Sequence, residues 1–254
     1  MMRKLIALVT LWVIASVMLI LLPGSLDDSV VTDDEDQPLV LDPDTTTNHG
    51  NITMDIILAS YRVINRSVSG TSGVTNTGTA FAIYEDDSFT YLITNAHVVK
   101  VRDGYQSNEI TLIDYHGVES TAILVEDTFK SNYDLAIIKI QKNDNPEIKL
   151  LDVPYQKGQV VKAVGYYPSV SITTGTITNT TMMNYIVNMV VIAHDAYIVG
   201  GASGGPLLNS SNQVIGINFA AVTSNGQFLQ AYAIPINKII EYLTLHFPEA
   251  LNDL

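Results

Sequence analysis

Ser203 stands inside a glycine-rich run, "GGASGGPLLN", from Gly200 to Asn209. A serine hydroxyl is a poor nucleophile at neutral pH. It becomes a good one when an imidazole takes its proton during attack and returns it to the leaving group. A buried carboxylate that fixes the imidazole tautomer completes such a device. The same ten residues also make an ordinary glycine turn, so the rest of the chain has to decide. The histidines are His49, His97, His116, His194 and His246. His97 closes an apolar run, "YLITNAHVVK", at a predicted strand end. His116 lies in a turn-like "DYHGV", His246 on a predicted helix, and His49 in an acidic segment. His194, nine residues before Ser203, is expected to pack or hydrogen-bond nearby. Carboxylate candidates are Asp114, Asp127, Asp134 and Asp195; Asp134 precedes the apolar run Leu135 to Ile140, at a predicted strand start.

The run also spells G-x-S-x-G, Gly201 to Gly205, the nucleophile elbow of α/β-hydrolases, so an esterase is a rival. That fold needs serine, then acid, then histidine, with a helix directly after the serine. After Ser203 only His246 remains, and Pro206 with a short predicted strand follows the serine. The order His97, Asp134, Ser203 is that of the chymotrypsin fold instead.

The elements that must position these residues are short runs such as "TAFAIY", "TYLITN", "EITLIDY", "LAIIKI", "YIVNMVVIAH" and "QVIGINFAAV". Val, Ile, Thr and Tyr fill them, and Gly, Asn, Asp and Pro separate them, which predicts an all-β domain of many short strands. Helical texture is confined to one possible turn at Met54–Ser60 and to "INKIIEYLTLHF". There Ile236, Ile239, Ile240, Leu243 and Phe247 recur at helical spacing. The polar stretch 141–158 predicts a boundary between two β-subdomains.

The chain has 254 residues, a net charge of −13 and no cysteine. Disulfides, thiolate metal sites and cysteine nucleophiles are excluded, and no metal or cofactor is expected. An acidic balance argues against nucleic acid as a partner, because phosphate binding needs a basic footprint. Residues 25–50 hold eight carboxylates with no Lys or Arg, and are expected to form a disordered acidic linker. Before them, Arg3 and Lys4 precede an uncharged apolar stretch from Leu5 to Leu22. It spans about 27 Å as a helix, near the thickness of a bilayer core. Residues 1–24 are expected to be a transmembrane anchor, with a cleaved signal peptide as the alternative. Either places the acidic bulk outside the cytoplasm. The missing cysteines of an exported chain favour a bacterial source.

"TNAHVV", "SNYDLAIIKI" and "GGASGGPLLN", followed by "QVIGINFA" and "AYAIPINKII", resemble in order the motifs of the HtrA/Deg branch of trypsin-like serine proteases. The resemblance covers about residues 55–245. It implies two six-stranded antiparallel β-barrels, about 55–142 and 155–235, and a C-terminal helix at about 236–247, in a protease domain spanning 51–254. It implies His97 as general base, Asp134 as its orienting carboxylate and Ser203 as nucleophile. The Gly201 and Ser203 N–H groups would form the oxyanion hole. Ile198, Phe219, Ala220 and Ala221 would wall the primary specificity pocket, with Tyr197 and Ile198 at its expected base. No acidic residue stands there, so a small or medium apolar side chain is expected before the scissile bond. Ala202 replaces the aspartate that digestive trypsins use in zymogen activation, and the asparagine usual in the HtrA branch.

The expectation is therefore a membrane-tethered serine endopeptidase without a PDZ domain, acting outside the cytoplasm on protein or peptide substrates. Protein quality control is the expected setting for it. A non-catalytic binding protein on the same scaffold is the alternative. The family's usual trimer has no recognisable contacts in this sequence.

Overall fold

The computed structural model describes residues 39–40, 54–129 and 132–251. The expected anchor at 1–24 lies outside the described residues. So does the expected linker, apart from Leu39–Val40, which form a short strand, β1. Among the described residues no helix is long and apolar enough to cross a membrane.

A helical turn, α1 (Met54–Leu58), leads into the first barrel. Its strands are β2 (Ser60–Ser69), β3 (Ser72–Glu85), β4 (Phe89–Asn95), β5 (Ser107–Ile113), β6 (Glu119–Leu124) and β7 (Leu135–Gln141). Two short helices interrupt them, α2 (Ala96–Val99) and α3 (Glu126–Phe129). Antiparallel pairing in the order β2-β3-β4-β7-β6-β5 closes on itself through β2 and β5.

The second barrel uses β8 (Val160–Tyr166), β9 (Val170–Asn184), β10 (Met189–His194), β11 (Pro206–Leu208), β12 (Val214–Ser224) and β13 (Gln227–Pro235). Its order is β9-β10-β13-β12-β11-β8, closed by β8 pairing with β9. The strand β1 adds to β9, Leu39 opposite Ile172 and Val40 opposite Ser171. The amphipathic helix α4 (Ile236–His246) and a 3₁₀ turn at Pro248–Leu251 end the described chain.

The period of two along each strand explains why several strands read as unbroken apolar runs. In β7, Ala136, Ile138 and Ile140 fill the first barrel, while Leu135 and Ile137 face the seam between barrels. In β3, Ala80 and Ala82 point inward and Phe81 and Ile83 point to the seam. Such strands are buried on both faces, so polar alternation disappears. The second barrel contributes Val164, Leu208, Ile217 and Ile234 to the same seam. The α4 face of Ile236, Ile239, Tyr242 and Leu243 covers its edge. Tyr242 Oη donates to the Thr128 carbonyl at 2.9 Å, tying the last helix back to the first barrel.

Candidate active site

His97 lies on α2, a single turn inserted directly after β4. Its neighbours Val98 and Val99 are buried in the first barrel and anchor the turn. Asn65 Nδ2 donates to the Val98 and Lys100 carbonyls, both at 2.9 Å, and Asn76 Nδ2 to the His97 carbonyl at 3.3 Å. The turn that carries the histidine is thus held from two sides.

Asp134 precedes β7 in a left-handed backbone conformation, φ 54°. Asp and Asn tolerate this region better than other non-glycine residues. Its carbonyl accepts Ala96 N–H at 3.0 Å and Asn95 Nδ2 at 3.1 Å. Its carboxylate faces His97 twice: Oδ1 accepts the His97 backbone N–H at 3.0 Å, and Oδ2 lies 2.8 Å from Nδ1. An ionised carboxylate only accepts, so Nδ1 carries the proton and Nε2 keeps a free lone pair. The aspartate side chain is the more covered of the two, 19% exposed against 33% for the histidine.

Ser203 lies between β10 and β11 in a loop built on close approaches. Gly201 has φ +100°, and a Cβ there would stand 2.5 Å from the Tyr166 carbonyl oxygen. Gly204 has φ +89°, and a Cβ there would stand 2.0 Å from the Thr79 carbonyl oxygen. Only glycine fits either position. Hydrogen bonds run from Ala202 N to Val199 O at 3.1 Å, from Gly205 N to Ala202 O at 3.0 Å, and from Gly204 N to Asn218 O at 2.8 Å. Among the described residues, the N–H groups of Gly201 and Ser203 have no hydrogen-bond partner. Ser203 Oγ donates to the Phe219 carbonyl at 3.3 Å. No hydrogen bond joins it to His97 among the described residues.

These groups open into one cleft of about 850 Å³. His97, Asp134, Gly201, Ser203, Ile198, Phe219, Ala220 and Ala221 all line it. Asp134 is the one carboxylate in that lining among the described residues, and His97 occupies it. Tyr197 is elsewhere. Its ring packs edge-on against Phe228, centroids 5.1 Å apart, and its carbonyl accepts from Thr173 Oγ1 at 2.6 Å. The pocket base expected at Tyr197 and Ile198 is therefore walled by Ile198 alone of the two.

The cleft also takes in residues that motif reading did not single out. Ile186, Val187 and Met189, at the tip between β9 and β10, form one wall, and Tyr133, Tyr232 and Lys238 another part of the rim. Their signal in the sequence is only apolar or polar texture, because a cleft between barrels is made by chain segments far apart in order.

His49 lies outside the described residues, and the other described histidines are engaged elsewhere. His116 sits in a turn that Asp114 caps, accepting the His116 and Val118 N–H groups at 2.9 Å. His246 packs on the Tyr242 ring, centroids 5.2 Å apart. His194 is fully buried, with Nε2 3.0 Å from Asn218 Oδ1. Burial pushes its pKa down to about 4, so it is neutral near pH 7 and donates from Nε2. Asn218 Nδ2 in turn donates to the Gly205 and Pro206 carbonyls at 3.1 and 3.3 Å, behind the serine loop. No cluster of His, Asp or Glu among the described residues is arranged to hold a metal ion.

Residues 78–217 match the trypsin-like peptidase domain family. A serine protease Do-like HtrB of Bacillus subtilis is 34% identical over 169 residues, 61% of this chain and 35% of that protein. A probable periplasmic serine endoprotease, DegP-like, of Halomonas elongata is 36% identical over 166 residues, 63% of this chain and 33% of that protein. The chain thus spans about a third of the length of these relatives. Among solved structures, an HtrA-type protease with a bound tripeptide superposes with a TM-score of 0.61 at 26% identity, covering 73% of this chain and 58% of that one. The serine endoprotease from Yersinia pestis gives 0.58 at 26% identity, covering 76% and 64%.

Proposed function

Because this chain belongs to the trypsin-like peptidase family, and within it resembles the HtrA/Deg proteases, we propose that it is a serine endopeptidase. One observation carries the reading. The Asp134–His97 pair and the unpartnered Gly201 and Ser203 amides face one cleft, with the Ser203 hydroxyl between them in the chemical sequence.

In the reaction, the Ser203 hydroxyl leaves the Phe219 carbonyl and donates to His97 Nε2. Its oxygen attacks the scissile carbonyl carbon as the proton passes to Nε2. Asp134 holds the imidazolium that forms and keeps the ring in register. The oxyanion is received by the Gly201 and Ser203 N–H groups, each such donor contributing about 2.7–4 kcal/mol to transition-state stabilisation. Collapse breaks the C–N bond, and the proton on Nε2 goes to the leaving amine. Water, deprotonated by the same imidazole, then attacks the acyl ester and frees Ser203.

The apolar walls of Ile198, Phe219, Ala220 and Ala221 fit a small or medium apolar side chain before the scissile bond. The similar proteins include periplasmic DegP-like endoproteases, which supports action outside the cytoplasm on protein or peptide substrates. An N-terminal anchor and a role in protein quality control complete the proposal.

A second reading, a non-catalytic binding protein, draws on the Ser203–Phe219 hydrogen bond, which leaves the nucleophile turned away from its base. A fluorophosphonate probe separates the two. The protease reading expects labelling of the wild type, loss of labelling in Ser203→Ala, strong loss in His97→Ala, and cleavage of unfolded casein by the wild type alone. A folded wild-type protein that neither labels nor cleaves overturns it. Labelling that persists in Ser203→Ala moves the site elsewhere.

A further inference from the structure

Thr79 belongs to β3 in the first barrel, yet three of its hydrogen bonds reach the second. The residue is fully buried. Its backbone N–H donates to the Ser203 carbonyl at 2.8 Å. Its hydroxyl donates to the Gly201 carbonyl at 2.7 Å and accepts the Tyr166 N–H, at the end of β8, at 2.9 Å. Its own carbonyl accepts the Thr94 hydroxyl at 2.7 Å, from β4 and three residues before His97. One residue, through its hydroxyl and its carbonyl, therefore joins β4, which leads into the histidine turn, to the loop that carries the serine.

The geometry makes those bonds directional. A trans peptide is planar, so fixing its carbonyl fixes the opposed N–H. The Gly201–Ala202 peptide is held at both ends, its carbonyl by Thr79 Oγ1 and its N–H by Val199 O. The Ala202–Ser203 peptide is held through its carbonyl by Gly205 N, which turns the Ser203 N–H outward. The Ser203–Gly204 peptide is held by Thr79 N and Asn218 O. Among the described residues, the Gly201 and Ser203 amides on either side of Ala202 are left without a partner. Among the described residues, the Thr79 hydroxyl is the one donor to the Gly201 carbonyl; the Gly201 N–H rides on the preceding Gly200–Gly201 peptide, so Thr79 bears on it through the shared Gly201 Cα, at the left-handed φ of +100° that glycine permits. Gly78, before Thr79, admits the close approach of the serine loop: a Cβ there would stand 2.5 Å from Val98 Cγ1 and 3.1 Å from the Ser203 carbonyl oxygen.

We propose that Thr79 is a positioning residue for peptide hydrolysis: its hydroxyl, supplied by the first barrel, holds the Gly201 carbonyl so that the Gly201 and Ser203 amides converge on one oxyanion. The oxyanion hole is then assembled only when the two barrels are docked. The proposal rests on the serine endopeptidase reading. It adds that activity depends on a group touching neither substrate nor the reacting atoms.

The hydroxyl is tested by Thr79→Val, which keeps shape and removes both hydrogen bonds, and by Thr79→Ser, which keeps them. A misplacement of about 1 Å at such a site costs about a hundredfold in rate. Thr79→Val is therefore expected to lose about 10- to 100-fold in kcat with KM within about threefold of wild type, the split expected when a transition-state contact alone is lost. Its affinity for a peptide boronate, which presents a tetrahedral oxygen, should fall in parallel, while affinity for the matching uncleavable peptide stays unchanged. Thr79→Ser should recover both to within about threefold. If Thr79→Val does not fold, Thr79→Cys is measured in its place, since a thiol is a weak donor of similar size; the same split is expected. Either folded variant with wild-type kcat and boronate affinity overturns the proposal, as does an equal loss of substrate and boronate binding. An inactive wild type fails the peptidase reading instead, so the two failures are distinct.

Discussion

The Asp134 carboxylate binds His97 at two points, the ring Nδ1 at 2.8 Å and the backbone N–H at 3.0 Å. It therefore sets both the tautomer of the imidazole and the position of the turn that carries it. Asp134→Asn separates these tasks. Asparagine also tolerates φ 54° and can still accept the backbone N–H. Its amide cannot stabilise an imidazolium, and its NH₂ favours the wrong tautomer. We expect kcat to fall by about 10³–10⁴ with KM nearly unchanged and little change in thermal stability. Steady-state kinetics and a thermal melt of the same preparation check it.

The pairing just described follows residues that the sequence names by local words. His97 stands in "TNAHVV", Asp134 before "LAIIKI" and Ser203 in "GGASGG", and each word encodes a backbone shape as well as a side chain. The many short strands were legible for a similar reason, since β-branched runs and turn residues alternate locally, whereas their closure into two barrels followed from the family resemblance. The helix expected at about 236–247 ends at His246, with Phe247 as its cap packed in the core. Thr79 and Asn218 were not legible. Their partners lie 122 residues away at Gly201, across the seam, and 13 residues away at Gly205, within the second barrel, and nothing in "TGTAF" or "GINFA" announces either contact. Tyr197 was misplaced at the pocket base because motif alignment cannot tell which way a side chain turns. Its ring finds Phe228 instead.

Gly201→Ala should harm both stability and activity. The added Cβ meets the Tyr166 carbonyl oxygen at 2.5 Å, at φ +100°. A strained backbone of this kind costs about 1–3 kcal/mol, and the loop escapes it only by turning the Gly201 amide. We expect a melting temperature lower by several degrees and a kcat reduced by about 10²–10³, the cost of one oxyanion donor. Fluorophosphonate labelling slowed to the same degree as peptide hydrolysis would place the damage at the oxyanion.

Acid sensitivity should have a component from His194. Its pKa is about 4 in the folded protein, where burial disfavours the cation, against an ordinary value of 6.5. Between those values the unfolded chain binds the proton and the folded one does not, so stability rises with pH across this window. Full stability is present above about 6.5 and is lost as pH falls towards 4, by about 3 kcal/mol. Asp86, held low by the Ser88 N–H, and Glu241, held low by Lys238, lose their contributions at lower pH. His194→Gln keeps an N–H for Asn218 Oδ1 and shares those carboxylates. The difference in denaturation midpoint between wild type and variant, followed from pH 7.5 to 4.5, should change in favour of the variant as pH falls. Parallel curves would remove His194 from the account.

The residue before the scissile bond should be small or medium and apolar. The cleft is walled by Ile198, Phe219, Ala220 and Ala221, and its one carboxylate among the described residues is already bound to His97. A Lys or Arg side chain entering there would lose its hydration without gaining a counter-charge, which is costly. Apolar side chains gain from the same walls, at about 10–200-fold per methylene in well-formed pockets. In a peptide series varied at that one position, Ala, Val and Leu should exceed Lys, Arg and Asp in kcat/KM by at least about tenfold. Ile198→Ala widens the wall that distinguishes medium from large side chains. It should raise the Phe-to-Val ratio of kcat/KM while leaving the rate of fluorophosphonate labelling near wild type, because the Ser203 hydroxyl and the Gly201 amide are untouched. A ratio that does not move would mean that Ile198 lines the cleft without contacting this side chain.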